Sequence, residues 1–289
     1  MNIHLVDSTL REGLQSANAS VFNNDGDKAK YIDSVSELNI IDRFDIYMPG
    51  PHINMRTWSN IVGNHSDELQ IYIGTADNFD IKDRELLLAR KWNMLSATLL
   101  NYEVHNINSV RHIADIFEDI PLRIGIECAG EKNPKETIEL LIKLGDIGSV
   151  NVVSINDSNN KMSEDWIFGF VDALQDCTRD RIPRIGLHLH NGSITALLKA
   201  KRFISNLDNI GFPEIDLDVS AYGLGDRKGI LAVDDAVDNF IIKYRKEIVF
   251  YKSILKEVLS IVPEVDDNKV INNAVSHYDS SGKLRPEYM

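Results

Sequence analysis

Two histidines separated by one residue, His188 and His190, suggest chemistry by their type and spacing. Side chains two positions apart on a strand point to the same side of the sheet, so both imidazoles can face one metal ion. The preceding run, residues 182–187, is typical of a short apolar strand, which puts the pair at the strand's carboxyl end. The pattern predicts a metal site with a third, acidic ligand from elsewhere in the chain. Two unrelated histidines that happen to alternate are the other interpretation.

A polar cluster follows the first strand-like run, residues 3–7, and contains Arg11 next to Glu12. A carboxylate can bind a divalent ion while a neighbouring guanidinium stabilises an oxyanion, so the pair could divide these two tasks. An ion pair in an exposed loop is the alternative. The glycine-spaced loop at residues 220–230 could bring backbone N–H groups close to an anion, although such loops also serve simply as turns.

Short extended runs alternate with longer helical ones eight times along the chain. The predicted strands lie near residues 3–7, 43–48, 69–74, 94–100, 121–127, 149–155, 183–189 and 214–219. The predicted helices lie near residues 80–91, 105–118, 134–144, 162–176 and 193–206, with two more near 231–245 and 247–261. Asn133-Pro134 and Ser163-Glu164 are typical of a helix cap followed by a first turn.

Eight uninterrupted βα units predict a TIM (β/α)8 barrel at residues 1–245, with a short helical or arm-like extension at 246–289. A doubly wound open sheet is the structural alternative, but no Gly-x-Gly-x-x-Gly follows the first strand. A barrel of this type carries its chemistry at the carboxyl ends of its strands.

Composition excludes several classes of protein. With 289 residues, 43% hydrophobic and 26% charged, the chain has the composition of a soluble globular protein, and we expect it to be cytoplasmic. A net charge of −13 argues against nucleic-acid and anionic-membrane partners. The two cysteines, Cys128 and Cys177, lie far apart in sequence, which favours reduced, buried thiols over a disulfide framework.

Three separated motifs resemble one known family. Asp-Ser-Thr-Leu-Arg-Glu-Gly-x-Gln at residues 7–15, His-x-His-Asn at 188–191 and Gly-x-Gly-Asp-Arg-x-Gly-Ile at 223–230 are similar to the DRE-TIM metallolyases, and most similar to homocitrate synthase and 2-isopropylmalate synthase. The motifs fall in the family's order on the first, seventh and eighth strands. The resemblance covers most of the barrel.

The resemblance implies a set of roles. Glu12, His188 and His190 would bind a divalent metal ion, Mg, Mn or Zn, and Arg11 would stabilise the developing enolate or oxyanion. The implied catalytic residues are Arg11, Asp45, Glu127 and His277. His277 belongs to an Ala-Val-Ser-His segment that would reach over the barrel mouth of a partner subunit in a homodimer. The alternative for His277 is a surface histidine near a frayed terminus. The implied substrate-binding residues are Asp7, Gln15, Thr75, Asp157, Asn191 and Arg227.

The implied reaction is an acyltransferase reaction, a Claisen-type condensation of an acyl-CoA, acetyl-CoA above all, with a 2-oxo acid. The reverse, aldol-type cleavage of a hydroxy acid, is the alternative, and a non-catalytic metal-binding barrel is a third hypothesis. The sequence departs from homocitrate synthase at Thr75, where that enzyme has a cation for the far carboxylate of 2-oxoglutarate, at Asp45 for Glu, and at Gly192 for Asp. These departures predict a different 2-oxo acid.

Overall fold

Eight parallel strands close into a barrel in the order in which they occur along the chain, which confirms the predicted fold. The computed structural model describes residues 1–15, 22, 24–47, 65–76, 93–100, 104–177, 181–190, 192–225 and 229–259. The strands are β1 (Asn2–Asp7), β2 (Arg43–Tyr47), β3 (Leu69–Thr75), β4 (Met94–Leu99), β5 (Leu122–Ile126), β6 (Val150–Asp157), β7 (Arg184–Leu189) and β8 (Glu214–Val219). Strand β8 pairs with β1 from Asn2 to Asp7 and closes the barrel.

Helices follow the strands along the described parts of the chain. They are α1 (Thr9–Gln15), α2 (Asp25–Ser36), α3 (Val104–Ile116), α4 (Pro134–Gly145), α5 (Glu164–Gln175), α6 (Ser193–Asn209), α7 (Val233–Phe240) and α8 (Glu247–Val258). The two predicted helix starts are confirmed, because Asn133 accepts from the Lys135 N–H and Ser163 accepts from the Trp166 N–H. The helix predicted near 80–91 lies outside the described residues.

Several element bounds differ from the prediction by two or three residues or more, and two of these differences have a visible cause. Strand β6 continues to Asp157 instead of ending near residue 155, because Asn156 is buried and donates a hydrogen bond to a neighbouring side chain. A prediction based on apolar residues ends the strand before these polar positions. The helix predicted near 231–245 ends at Phe240, where Ile241 leaves the helical conformation before a single 3-10 turn, Ile242–Tyr244.

The side of the strands that faces the helices is mostly apolar, whereas the side that faces the barrel interior carries many polar and charged residues. Arg43 forms a salt bridge with Asp216, which also lies 3.2 Å from Arg184, and Asp216 has no exposed surface. Because a buried charge is tolerated only when it is paired, the buried arginines of the interior are matched with aspartates. The apolar core lies between the strands and the helices around them.

Helix α8 packs against α2. The Tyr251 hydroxyl lies 3.1 Å from the Tyr31 hydroxyl, which in turn donates to Asp7 at the end of β1. Leu259 forms an antiparallel bridge with Phe22, in the connection between β1 and α2. Because such a connection starts from the carboxyl end of its strand, the chain leaves α8 on the side of the barrel where the candidate site lies.

Two other expectations concern the surface. Cys128 and Cys177 are free thiols, as predicted, but both are partly exposed instead of buried. Cys128 sits at the loop after β5 and Cys177 just beyond the end of α5, and both positions border solvent. Within the described ranges, no helix is both long enough and apolar enough to cross a bilayer.

Candidate metal centre

Glu12, His188 and His190 converge at the carboxyl end of the barrel. One ligand atom from each lies within 4.8 Å of the other two, and all three residues are buried. Strand β7 brings the two imidazoles to one side, as the His-x-His spacing predicts, and α1 carries Glu12 in from the end of β1. His190 is fixed further by a backbone bridge to Ile230 in the segment after β8.

The residues fit a divalent cation. The Nε2 atoms of His188 and His190 are 3.0 Å apart, close to the roughly 3.3 Å expected between two nitrogens on one tetrahedral zinc. The Oε1 atom of Glu12 lies 3.4 Å from the Nε2 atom of His188, and its Oε2 atom is buried without a hydrogen-bond partner in the described part of the chain. Two imidazoles and a carboxylate are the donor set of a catalytic metal site with further positions open to substrate.

Electrostatics favour a positive charge at this point. Burial opposes ionisation of Glu12, but a hydrogen bond with His188 and the charge of Arg11 hold its pKa below the ordinary value. Burial lowers the pKa of His188, but hydrogen bonds with Asp218 and Glu12 outweigh it and raise that pKa to about 9. The cluster therefore attracts a proton or a metal cation to the edge of the imidazoles.

Asp218 on β8 orients His188. Its Oδ2 atom lies 2.8 Å from the Nδ1 atom of His188, and its Oδ1 atom accepts from Arg123 at 2.6 Å. Burial raises the pKa of Asp218, but Arg123 and His188 outweigh this and lower it to about 2, so the carboxylate is ionised. An ionised acceptor at Nδ1 keeps the proton on that nitrogen and leaves Nε2 as the ligand atom.

We expect Asp218→Asn to weaken metal binding by about 10–100-fold, because an amide no longer fixes the tautomer and orientation of His188. The measurement is titration of the metal-free protein with Zn²⁺ or Mn²⁺ in competition with a chelating dye.

Asp216→Asn is the matched control for this prediction. Asp216 also faces the interior of β8 and pairs with arginine, but its partners are Arg43 and Arg184, away from the histidines. Asp216→Asn is expected to lower the melting temperature with metal affinity unchanged. Equal loss of affinity in both variants would contradict the orienting role of Asp218.

Arg11 lies beside the metal cluster. Its Nη2 atom is 3.1 Å from Glu12 Oε1, its Nη1 atom donates to Asp45 at 2.5 Å, and its guanidinium carbon lies 4.6 Å from the centre of the Tyr72 ring. Burial alone would lower the pKa of Arg11, but Asp45 and Glu12 raise it well above its ordinary value. Arg11 is thus a fixed, charged donor next to the cation position.

Two further residues of the predicted catalytic set lie close to this centre. The Oδ1 atom of Asp45 accepts from Ser96 at 3.3 Å while Oδ2 accepts from Arg11, so Asp45 holds the guanidinium in place. Glu127 accepts from Asn156 at 2.9 Å and from Ser158. Burial opposes ionisation of Glu127, but these two hydrogen bonds lower its pKa below the ordinary value, so it is a carboxylate able to accept a proton.

Asp7 and Asp157 have surroundings that do not support the predicted contacts with substrate. The two oxygens of Asp7 accept from the Thr9 N–H and from Tyr31. The Oδ1 atom of Asp157 accepts from the N–H groups of residues 161 and 162, and Oδ2 pairs with Lys199 on α6. Both carboxylates brace a strand end against its neighbours, because alternation along the strand directs them toward the helices and away from the interior.

The remaining predicted residues are less fully described. Thr75 ends β3 and is partly exposed. Gln15 ends α1, but its side chain is not described, and Asn191, Arg227 and His277 lie outside the described residues.

The glycines of the predicted loop after β8 allow close packing. At Gly225 a Cβ atom would lie 3.3 Å from Glu12 Cβ, so this loop packs directly against the Glu12 side chain. Gly229 has φ +80°, and a Cβ there would lie 1.8 Å from the Gly223 carbonyl oxygen, so any side chain would break the turn.

The sequence interpretation missed three residues of the site, Tyr72, Arg123 and Asp218. Each faces the barrel interior from a strand read only as apolar. One sequence signal could have identified Arg123 and Asp218. Each is a charged residue between two apolar ones in a strand, as in Leu122-Arg123-Ile124 and Leu217-Asp218-Val219.

The fold is similar to that of the carboxyl transferase domain of Rhizobium etli pyruvate carboxylase, with a TM-score of 0.62 and 14% identity over 88% of this chain and 47% of that one. A variant of the same domain with pyruvate gives a TM-score of 0.62 and 12% identity over 88% and 48%. This chain thus spans about half the length of these structures. No protein-family profile matches the sequence. No curated protein matches it either.

Proposed function

We propose that this protein is a metal-dependent enzyme of the DRE-TIM type that condenses an acyl-CoA with a 2-oxo acid. The observation that carries the proposal is the buried convergence of Glu12, His188 and His190 beside the paired guanidinium of Arg11. A divalent cation bound there would polarise the keto carbonyl of a 2-oxo acid and make its carbon electrophilic.

The residues of the chain would serve the steps of this reaction. A base takes a proton from the α-carbon of the acyl-CoA, and Glu127, the carboxylate that the resemblance places in this role, would accept it. The new C–C bond forms between this carbon and the keto carbon, and the charge that develops on the keto oxygen is stabilised by Arg11. Protonation of that oxygen gives a tertiary alcohol, and water then cleaves the thioester to a carboxylate and free CoA thiol.

Two independent comparisons support this proposal. The first is the resemblance of the motifs at residues 7–15, 188–191 and 223–230 to homocitrate and isopropylmalate synthases. The second is the similar fold of a carboxyl transferase domain that was solved with pyruvate, itself a 2-oxo acid. The proposal includes a divalent metal, an acyl-CoA, a 2-oxo acid and a homodimer.

The direct experiment measures free thiol released from acetyl-CoA with a panel of 2-oxo acids, with and without added Mg²⁺, Mn²⁺ or Zn²⁺. Metal-dependent release with at least one acid is the expected result. Cleavage of a hydroxy acid with no thiol release would favour the lyase alternative. Stoichiometric metal with neither activity would favour the non-catalytic barrel.

The proposal includes His277 as a general acid or base, as the resemblance to the synthases implies. The chain leaves α8 at Leu259, beside Phe22 at the carboxyl end of the barrel, and His277 lies only eighteen positions further along the sequence. We expect a chain ending at Pro263 to lose at least about 100-fold in turnover with 2-oxo acid affinity nearly unchanged, because a general acid or base is removed.

The measurement for this truncation is steady-state turnover combined with calorimetric binding of the acid. His277→Ala in the full chain is the matched control and is expected to reproduce the loss. Unchanged turnover in either protein would contradict a role for His277.

A further inference from the structure

We propose that the 2-oxo acid bound at this centre has three carbons and carries an uncharged hydroxyl group on the third. This inference rests on the proposed function and deepens it. It comes from a small cavity in the barrel interior that shares Arg11 and Asp218 with the surroundings of the metal centre.

The cavity is small and polar. Its volume is about 10 Å³, and its lining includes Arg11, Thr98, Arg123, Ser154 and Asn156. This is roughly the space that holds one water molecule, so it suits a hydroxyl group better than a planar carboxylate with two oxygens. A 2-oxo acid with its carboxylate and keto oxygen at the cation would direct its third carbon at such a space.

Two buried polar atoms of the lining have no hydrogen-bond partner among the described residues. They are the Nη1 atom of Arg123, a donor, and the Oδ1 atom of Asn156, an acceptor. The orientation of the Asn156 amide is set by its Nδ2 atom, which donates to Glu127 at 2.9 Å. A hydroxyl group is the smallest group that both accepts a hydrogen bond and donates one, so it can satisfy the two atoms together.

Among the described residues that line the cavity, both guanidinium groups already have a carboxylate partner. Arg123 is paired with Asp218 at 2.6 Å, and Arg11 is paired with Asp45 at 2.5 Å. These partners are at most 1% exposed, so the pairs are hardly screened by solvent. A far carboxylate, as in oxaloacetate or 2-oxoglutarate, would therefore meet guanidinium groups that already have their counterions.

The size of the cavity can be changed in both directions by single substitutions. Gly125 lies in its wall, and a Cβ atom there would lie 2.8 Å from Asn156 Nδ2 and 3.1 Å from Thr98 Cγ2. Gly125→Ala should therefore fill the cavity. Thr98→Ala should enlarge it, since Thr98 lines it from β4.

The test is calorimetric binding of 3-hydroxypyruvate, pyruvate, oxaloacetate and 2-oxoglutarate to the full-length, Mn²⁺-loaded protein without acyl-CoA. We expect 3-hydroxypyruvate to bind about tenfold more tightly than pyruvate, the effect of one hydrogen-bonded group, and both dicarboxylic acids to bind more weakly than pyruvate. A dicarboxylic acid that binds best, or pyruvate that binds as tightly as 3-hydroxypyruvate, would overturn the inference.

The variants separate this inference from the proposed function. Gly125→Ala is expected to lose 3-hydroxypyruvate binding with Mn²⁺ affinity unchanged, and Thr98→Ala to reduce the preference for three carbons over four. Unchanged acid binding in Gly125→Ala would overturn the position assigned to the hydroxyl group. If the metal-loaded protein binds none of the four acids, or binds them in another order, this inference fails; the proposed function fails only if no 2-oxo acid of the panel gives thiol release from acetyl-CoA.

Discussion

Glu12→Gln is expected to lower metal affinity by more than about 100-fold and to reduce turnover to background. The substitution keeps the volume of the side chain but removes the carboxylate. Among the described residues, the cluster consists of this carboxylate and two imidazoles. An amide oxygen is a much poorer metal ligand than a carboxylate. The loss of metal affinity in Glu12→Gln should therefore exceed the 10–100-fold loss expected when a residue outside the ligand set is changed. Elemental analysis of the purified variant and dye-competition titration are the measurements.

Glu127→Gln is the matched control for this prediction. Glu127 is another ionised carboxylate near the centre, but its partners are Asn156 and Ser158 and it is not part of the cluster. It should keep stoichiometric metal while its turnover falls. Retention of tightly bound metal by Glu12→Gln would mean that the cluster is not the metal centre, and the proposed reaction would fall with it.

Arg11→Ala is expected to reduce turnover by about 10²–10³-fold while metal affinity changes by only a few-fold. Arg11 contacts Glu12 through a single oxygen, so the other carboxylate oxygen remains for the cation. The loss should appear in the rate of the chemical step and not in acid affinity, because the donor acts on charge that develops in the transition state. Steady-state kinetics beside dye-competition titration check both parts.

Two other variants make the Arg11 result interpretable. Arg11→Lys keeps the charge that Asp45 and Glu12 need, so a loss of turnover in a folded Arg11→Lys protein argues for the guanidinium geometry and not for stability. Arg184→Ala removes an arginine from the other end of the barrel, where it pairs with Glu214 and Asp216. It should lose stability with little loss of turnover. Equal loss of metal in Arg11→Ala and Glu12→Gln would contradict the division of roles.

The sequence by itself determined the barrel and part of the site. Apolar periodicity changes from two to about 3.6 residues at each strand-to-helix transition, and this local signal is strong when eight units repeat it. The position of His188 and His190 on one side of β7 also follows from local geometry, since the strand repeats every two residues. The nearness of Arg11 and Glu12 to each other needs only the chain order.

The tertiary structure decided which residues from distant strands meet. Leu187 pairs with Leu217 in the register of β7 and β8, and this register brings His188 level with Asp218. A slip of one residue in this register would turn the Asp218 side chain toward the helices, the side that Asp7 faces on β1. The sequence of one strand alone therefore does not predict the contact between Asp218 and His188. Barrel closure and strand register likewise brought Arg123 to Asp218. They also left Arg123 Nη1 and Asn156 Oδ1 without partners among the described residues, because the pairing of buried polar groups depends on which side chains face each other across the interior.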